Sequence, residues 1–234
     1  QLHKVKRNLA SINELKKHAD LSLLKPSLYR ELLVIGTLYQ QQQYMYDNKV
    51  TSVDDRIVSL HQPHIRPIVR GKAGAHTEFG AKISISVVDG WTFTDTISFD
   101  SYNEGTELIE QIEKYKERFG YYPESTHADK IYRNKENRAY CKKHGIRISG
   151  PSLGRPPKDE KLRKEQKKIQ GQDEAIRNAV EGRFGVAKRR YKLDRILTKI
   201  KASSESLIAL VFMVMNLEKA MAFMAFIYLC FLKE

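Results

Sequence analysis

The sequence predicts an α/β fold with a helical region at each end. Three observations carry that reading. Residues 79–99 alternate apolar and polar side chains on both sides of Asp89-Gly90, which is the pattern of a β-hairpin around a tight turn. Between residues 104 and 148, helix-period segments are interleaved with short strand-like ones, an order that builds α/β layers. At both ends apolar residues recur at helical spacing over long stretches.

In chain order, residues 8–48 read as helical, because Leu9, Ile12 and Leu15, then Leu28, Leu32, Leu33, Ile35 and Leu38, recur every three or four positions. Pro26-Ser27 is the expected break between two helices, and Tyr39 to Tyr46 continues the second with a polar face. Residues 54–70 hold two prolines and no period, so an extended loop with one strand is expected. Phe79 to Val88 and Trp91 to Phe99 form the hairpin. Glu104–Phe119 places Leu108, Ile109, Ile112 and Tyr115 on one helical face and ends at Gly120. Ser125 to Lys130 is a short segment that carries Asp129. Lys135–His144 is a helix closed by Gly145, and Ile146–Ile148 a short strand. A Gly/Pro linker follows at 149–158, then a polar, basic stretch to Gly171 that reads as helical or partly disordered, a long helix from about Gln172 to Tyr191 and an apolar C-terminal helix. The organisation is a helical region at 1–53, an α/β core at 54–148, a basic linker at 149–171 and C-terminal helices at 172–234.

With 41 Lys and Arg against 28 Asp and Glu, the net charge is +13. A polyanionic partner follows, since neutralising phosphates takes many cations. A hydrophobic content of 41% is too high for a disordered chain. Cys141 and Cys230 lie far apart with no zinc or disulfide spacing, which suits a reducing cytoplasm. The N-terminus has neither an initiator Met nor a signal-peptide pattern, as if the chain began within a gene. The apolar runs 207–215 and 220–232 are separated by Asn216, Glu218 and Lys219. Neither reaches the roughly 20 residues that span a bilayer, so core helices rather than a membrane anchor are expected.

The chemistry concentrates on two acids. Arg177, Glu181, Phe184 and Lys188 stand at i, i+4, i+7 and i+11, on one face of a helix. A carboxylate between cations suits a metal beside a phosphate backbone, and nine Lys or Arg against two acids lie between Arg177 and Lys201. By pattern alone a solvated salt-bridged face is the commoner meaning of such a stripe. Asp129 ends a short segment, where α/β folds collect ligands; a helix N-cap is the ordinary alternative.

Four stretches resemble the DDE transposases of bacterial insertion sequences, in the "IS five" group. They are His61-Gln62-Pro63-His64-Ile65-Arg66-Pro67, Glu78-Phe79-Gly80-Ala81-Lys82, His127-Ala128-Asp129-Lys130, and Asn178-Ala179-Val180-Glu181-Gly182-Arg183-Phe184-Gly185. Arg177-x3-Glu181-x6-Lys188 matches the R-x3-E-x6-K part of the superfamily signature, with Glu174 where a Tyr often stands. The resemblance runs from about residue 8 to about residue 219. It implies an RNase H-like mixed sheet with flanking helices, in which residues 1–53 form a helical insertion. It also implies three carboxylates holding two Mg²⁺ ions (or Mn²⁺) for DNA cleavage and strand transfer. Asp129 would be the second acid and Glu181 the third. Arg177, Lys188, Arg183, Arg189 and Arg190 would bind DNA, and Asn178 is a lesser candidate for supporting the site. The implied partners are terminal inverted repeats and target DNA, with no membrane. Such transposases work as dimers or larger assemblies in the bacterial cytoplasm, associated with the nucleoid.

The first acid has no good candidate. Asp54 and Asp55 precede a Pro-rich stretch, Asp89 belongs to its turn and Asp100 ends the next strand. By the resemblance the first Asp lies upstream of Gln1, so this chain alone is expected not to cleave DNA. A catalytically inactive DNA-binding protein derived from a transposase is the alternative. A basic membrane-associated protein is a third reading, resting on residues 207–232 alone.

Overall fold

A computed structural model of the chain describes residues 1–72, 75–151, 154 and 159–231. They form a mixed α/β structure of two compact units, one built from 1–82, 98–101 and 197–204, the other from 83–97, 102–196 and 205–234.

In the first unit, α1 (Leu2–Lys16) and α2 (Pro26–Asp47) are joined through a 3-10 turn at Leu21–Leu23, whose N-cap Asp20 accepts the Ser22 amide. Pro26 starts α2, where its missing N–H costs nothing. The Gln run in α2 has structural partners: Gln41 donates to the Asp55 carbonyl (3.1 Å) and accepts from the Ile57 amide (2.9 Å). That helix face thereby satisfies the backbone of an irregular segment. The Pro-rich stretch then leads into β1 (Arg66–Lys72), which pairs antiparallel with β2 (Ala75–Gly80), Arg66 opposite Gly80 and Ile68 opposite Glu78. Ile68, Met45, Ile57 and Phe99 are buried, and His64 stands edge-on to Phe99 at 4.6 Å. The apolar spacing marks the two helices but not a core: α1 buries none of its residues, and Leu15, Leu28 and Leu33 are exposed.

The strand expected over 79–88 divides in two. Phe79 and Gly80 close β2 against β1, Gly80 takes φ +135°, and β3 (Lys82–Val88) begins two residues later. Alternation persists across the break, which is why the sequence alone reads as one strand.

In the second unit, β3 pairs with β4 (Trp91–Ser98) through Asp89 at φ +47° and Gly90 at φ +74°. Two successive positive φ values define a type I′ turn, whose twist matches the flanking strands. After a 3-10 turn at Glu104–Thr106, α3 (Leu108–Phe119) ends at Gly120, left-handed at φ +83°. Parallel strands β5 (Ser125–Thr126) and β6 (Arg147–Ile148) flank α4 (Lys135–Lys143). Leu108 and Ile112 of α3 pack with Cys141 of α4 and Ile146 before β6, forming the core beneath the β5–β6 pair. The described strands pair into three two-stranded sheets, not one mixed sheet.

Helix α5 (Glu160–Tyr191) starts twelve residues before the expected Gln172, with Asp159 capping the Lys161 amide at 2.8 Å. The basic stretch 159–171, expected to be helical or partly disordered, is helical from Glu160 onward; residues 152–153 and 155–158 of the linker lie outside the described residues. Lys192 ends α5 at φ +58°, and the next amide, on Leu193, reaches back to the Ala187 carbonyl at 3.1 Å. Helix α6 (Lys201–Phe231) is continuous through Asn216 and Glu218. Ile208, Val211, Phe212 and Met215 are buried on it, as are Ala187 of α5 and Leu193 just beyond its C-cap. Asn216 behaves like a strand neighbour, accepting from the Thr92 amide (2.9 Å) and donating to its carbonyl (2.7 Å).

The distal part of α6 departs from the expected core helix. Met221, Phe223, Met224, Phe226, Tyr228, Leu229 and Phe231 are all exposed. The helix is long and apolar enough to cross a membrane, and only 22% of its most apolar 18-residue window is buried.

Candidate functional site

Asp129 follows β5 by three residues and occupies the N-cap position of a 3-10 turn at Lys130–Tyr132, yet its side chain makes no capping bond. The carboxylate instead accepts from Arg177 Nη1 of α5 at 2.9 Å. The two readings of Asp129 thus separate: its backbone starts a turn, while its side chain serves α5.

The turn itself is held from below. Asn137 of α4, 1% exposed, donates through Nδ2 to the carbonyls of Gly105 (2.7 Å) and Tyr132 (2.8 Å). Asn134 caps α4 by accepting the Asn137 amide (2.8 Å), and donates to the same Gly105 carbonyl (2.9 Å). A Cβ at Gly105 would lie 2.5 Å from the Ile131 carbonyl oxygen, so only glycine permits this approach. The Tyr132 hydroxyl is pushed up to about 12, first by burial and then by the negative charges of Glu104 and Glu107.

One turn before Arg177, Asp173 is buried against the β5–β6 pair. Arg147 of β6 grips it with both guanidinium nitrogens, at 2.8 and 2.7 Å. His127 sets Nδ1 3.3 Å from Asp173 Oδ1, and its Nε2 is 3.0 Å from Ser125 Oγ. The hydrogen bonds from Arg147 hold the Asp173 carboxyl below the ordinary range against its burial. Burial depresses His127, with the Asp173 charge opposing that shift. Sequence reading missed Asp173 and Arg147. Their only signal was an acid one turn ahead of Arg177 and a cation in a two-residue strand.

Glu181 lies one turn beyond Arg177, about 6 Å along the helix at 1.5 Å per residue. It is exposed and has no hydrogen-bond or ion-pair partner among the described residues, so it makes no salt bridge to its i±4 neighbours. Arg177 turns to Asp129 and, at 3.5 Å, to Glu174. The same helix face thus carries Asp173, Arg177 and Glu181 in successive turns, with Asp129 meeting the middle one.

The other expected site residues separate by environment. Phe184 packs edge-on against Phe212 of α6 at 5.9 Å, so it belongs to the core. Arg183 donates to the Gly90 carbonyl in the hairpin turn, and Lys219 of α6 to that of Asp89. Arg190 forms a two-pronged pair with Glu218, at 2.9 Å for each contact. Lys188 and Arg189 are exposed on the last turns of α5, without an ion-pair partner among the described residues. Asn178 is exposed beside Arg177.

Among the described residues no three His, Cys, Asp or Glu side chains cluster in a way that could hold a metal ion. Asp129 and Glu181 nonetheless offer the hard carboxylate oxygens that Mg²⁺ takes, commonly one or two per ion with water and phosphate oxygens completing the shell. Both are accessible, the Asp129 side chain being 66% exposed. The donors present fit that ion.

No curated protein and no solved structure matches the chain. A family model described as "Transposase DDE domain" matches residues 126–218, less than half of the chain but a stretch that holds Asp129, the Asp173–Arg147 pair, Arg177 and Glu181.

Proposed function

We propose that this chain is a transposase of the DDE type that works on insertion-sequence DNA, with an RNase H-like core, Asp129 as the second acid and Glu181 as the third. The observation that carries the proposal is the bridge from Asp129 to Arg177, one helical turn from an unpaired Glu181, inside the stretch similar to transposase DDE domains. Asp129 and Glu181 would hold Mg²⁺ or Mn²⁺. When bound, the metal supplies charge neutralisation at the scissile phosphate and lowers the pKa of the attacking water or 3′-hydroxyl. Arg177 would orient the phosphate through its planar donors. Lys188 and Arg189 would lie along the backbone as point charges, making binding strongly dependent on salt. Arg183 and Arg190 would contribute through the hairpin turn and the α5–α6 pairing that they stabilise, and through whatever part of their charge faces the duplex. The natural DNA partners are terminal inverted repeats and a target duplex, joined by an oligomer in the bacterial cytoplasm near the nucleoid.

A reading with binding but no cutting has one specific observation behind it. The chemistry uses three carboxylates and the proposed set holds two, Asp129 and Glu181; among the described residues no three His, Cys, Asp or Glu side chains cluster in a way that could hold a metal ion. The chain is therefore expected to bind DNA and metal and to cut poorly by itself. A nicking assay on labelled duplex with Mg²⁺ or Mn²⁺, read beside a salt-dependent binding curve, tests both parts. Tight, salt-sensitive binding with nicking near background is the expected result. Vigorous nicking by the unaltered chain would refute the incomplete acid set. Nicking that survives Asp129→Ala would remove Asp129 from the site.

A further inference from the structure

We infer that Asp173 is a positioning residue for the site containing Asp129 and Glu181: gripped by Arg147 and flanked by His127, it fixes the register of α5 on the β5–β6 pair and so places Arg177 and Glu181. The inference rests on the proposed role of Asp129 and Glu181, which it extends to residues that touch neither DNA nor metal.

The geometry is one of leverage. Asp173 is buried at 6%, the lowest exposure of any carboxylate residue on α5, and both of its oxygens accept from one guanidinium. Two parallel bonds to a planar fork fix rotation as well as distance. Arg147 sits on β6, whose neighbour β5 leads directly into His127 and Asp129. The strand pair that leads to Asp129 and the helix that carries Glu181 are therefore tied together one helical turn from Arg177. A slip of one residue along α5 would rotate every side chain by about 100° and move it by about 1.5 Å. Glu181 would then leave the face that meets Asp129. The exposed Arg177–Asp129 contact is too weak to prevent such a slip, since surface pairs contribute little. The Asp173 carboxylate is sheltered although the Arg147 side chain is half exposed, so the two parallel bonds supply the specificity, and removing Arg147 would leave a sheltered carboxylate without its charge partner. Seven residues downstream of Arg177, Phe184 enters the α6 core, so α5 is held at both ends of the segment that bears the acids.

The test uses the full chain with Cys230→Ser, leaving Cys141 buried, and nitroxide labels at the exposed positions of Lys130→Cys and Asn178→Cys. Pulsed electron spin resonance reads the distance between the turn and α5, and Mn²⁺ titration reads metal affinity. In the parent a single narrow distance is expected. Asp173→Asn is expected to at least double its width while helix content by circular dichroism stays constant, and to lower Asp129-dependent Mn²⁺ affinity about tenfold, as loss of supporting partners commonly does. The exchange Asp173→Arg with Arg147→Asp restores the pair in reverse and is expected to narrow the distance again. A distance unchanged by Asp173→Asn overturns the inference, as does a width that the exchange fails to narrow in a folded protein. If the distances behave as expected but Mn²⁺ binding in the parent is indifferent to Asp129→Asn, the positioning stands and the proposed function falls.

Discussion

Replacing Asn137 with Ala would test how the Asp129 turn is held. The side chain is 1% exposed, and its Nδ2 donates to two backbone carbonyls from different segments, Gly105 at 2.7 Å and Tyr132 at 2.8 Å. Each net hydrogen bond contributes about 1 kcal/mol, and a buried carbonyl left without a donor costs about 1–3 kcal/mol. Gly105 retains Asn134 as a donor at 2.9 Å, so its carbonyl is only partly deprived. Tyr132 loses its donor from Asn137 outright. The sum is a loss of about 2–4 kcal/mol, a large share of the stability of an ordinary domain. Urea denaturation followed by far-UV circular dichroism measures it, with the exposed Asn178→Ala as a control expected to stay within about 0.5 kcal/mol. Asn137→Asp should cost more than Ala, because a carboxylate would face two carbonyl oxygens. A loss under about 0.5 kcal/mol for Asn137→Ala, or an Asp variant more stable than the Ala one, would refute the reasoning.

Two further outcomes follow from local features. Burial raises the Asp95 carboxyl above its ordinary value, against the lowering effects of the Ser86 hydroxyl and Arg118. The folded state thus holds that proton more tightly than the unfolded chain, so its stabilising contribution is full below about pH 3.8 and lost as pH rises through the raised folded value. The stability difference between Asp95→Asn and the parent should therefore move in favour of Asn as pH climbs from 4 to 7 in thermal melts; a difference that is flat or moves the other way contradicts this. At the end of α5, Lys192 adopts φ +58°. Glycine takes that conformation without its steric penalty, so Lys192→Gly should stabilise by about 1 kcal/mol in chemical denaturation, and a destabilised variant would count against the assigned C-cap.

Much of the second unit was legible because its signals are local. Asp89-Gly90 demanded a turn with two positive φ values, Gly120 and Gly145 stopped helices, and the spacing of Leu108 and Ile112 named the buried face of α3. The one-turn step from Arg177 to Glu181 was also readable, since it depends only on helical period. What the sequence hid depends on partners distant in the chain. Whether Asp129 caps its turn or reaches a helix 48 residues away is decided by Arg177, and nothing near Asp129 announces it. The grip of Arg147 on Asp173 spans 26 residues. Arg183 and Arg190 looked like free cations in a basic run, yet they pair with a turn carbonyl and with Glu218. β1 was faint because prolines mask the period of a strand that pairs on one side, and the 79–88 run concealed a break because alternation is indifferent to which neighbour a residue pairs with.

The bare distal turns of α6 have a consequence for how the protein behaves in water. Phe223, Phe226, Tyr228, Leu229 and Phe231 place aromatic and aliphatic surface around the helix rather than along one stripe. Contiguous apolar surface of this kind attracts whatever apolar material is at hand. Dilution, mild detergent and vesicles should each shift the molecule's sedimentation, and the charge-driven attraction to DNA will compete with that adhesion. High salt weakens the first force and strengthens the second, so the protein's solubility should be greatest at an intermediate ionic strength.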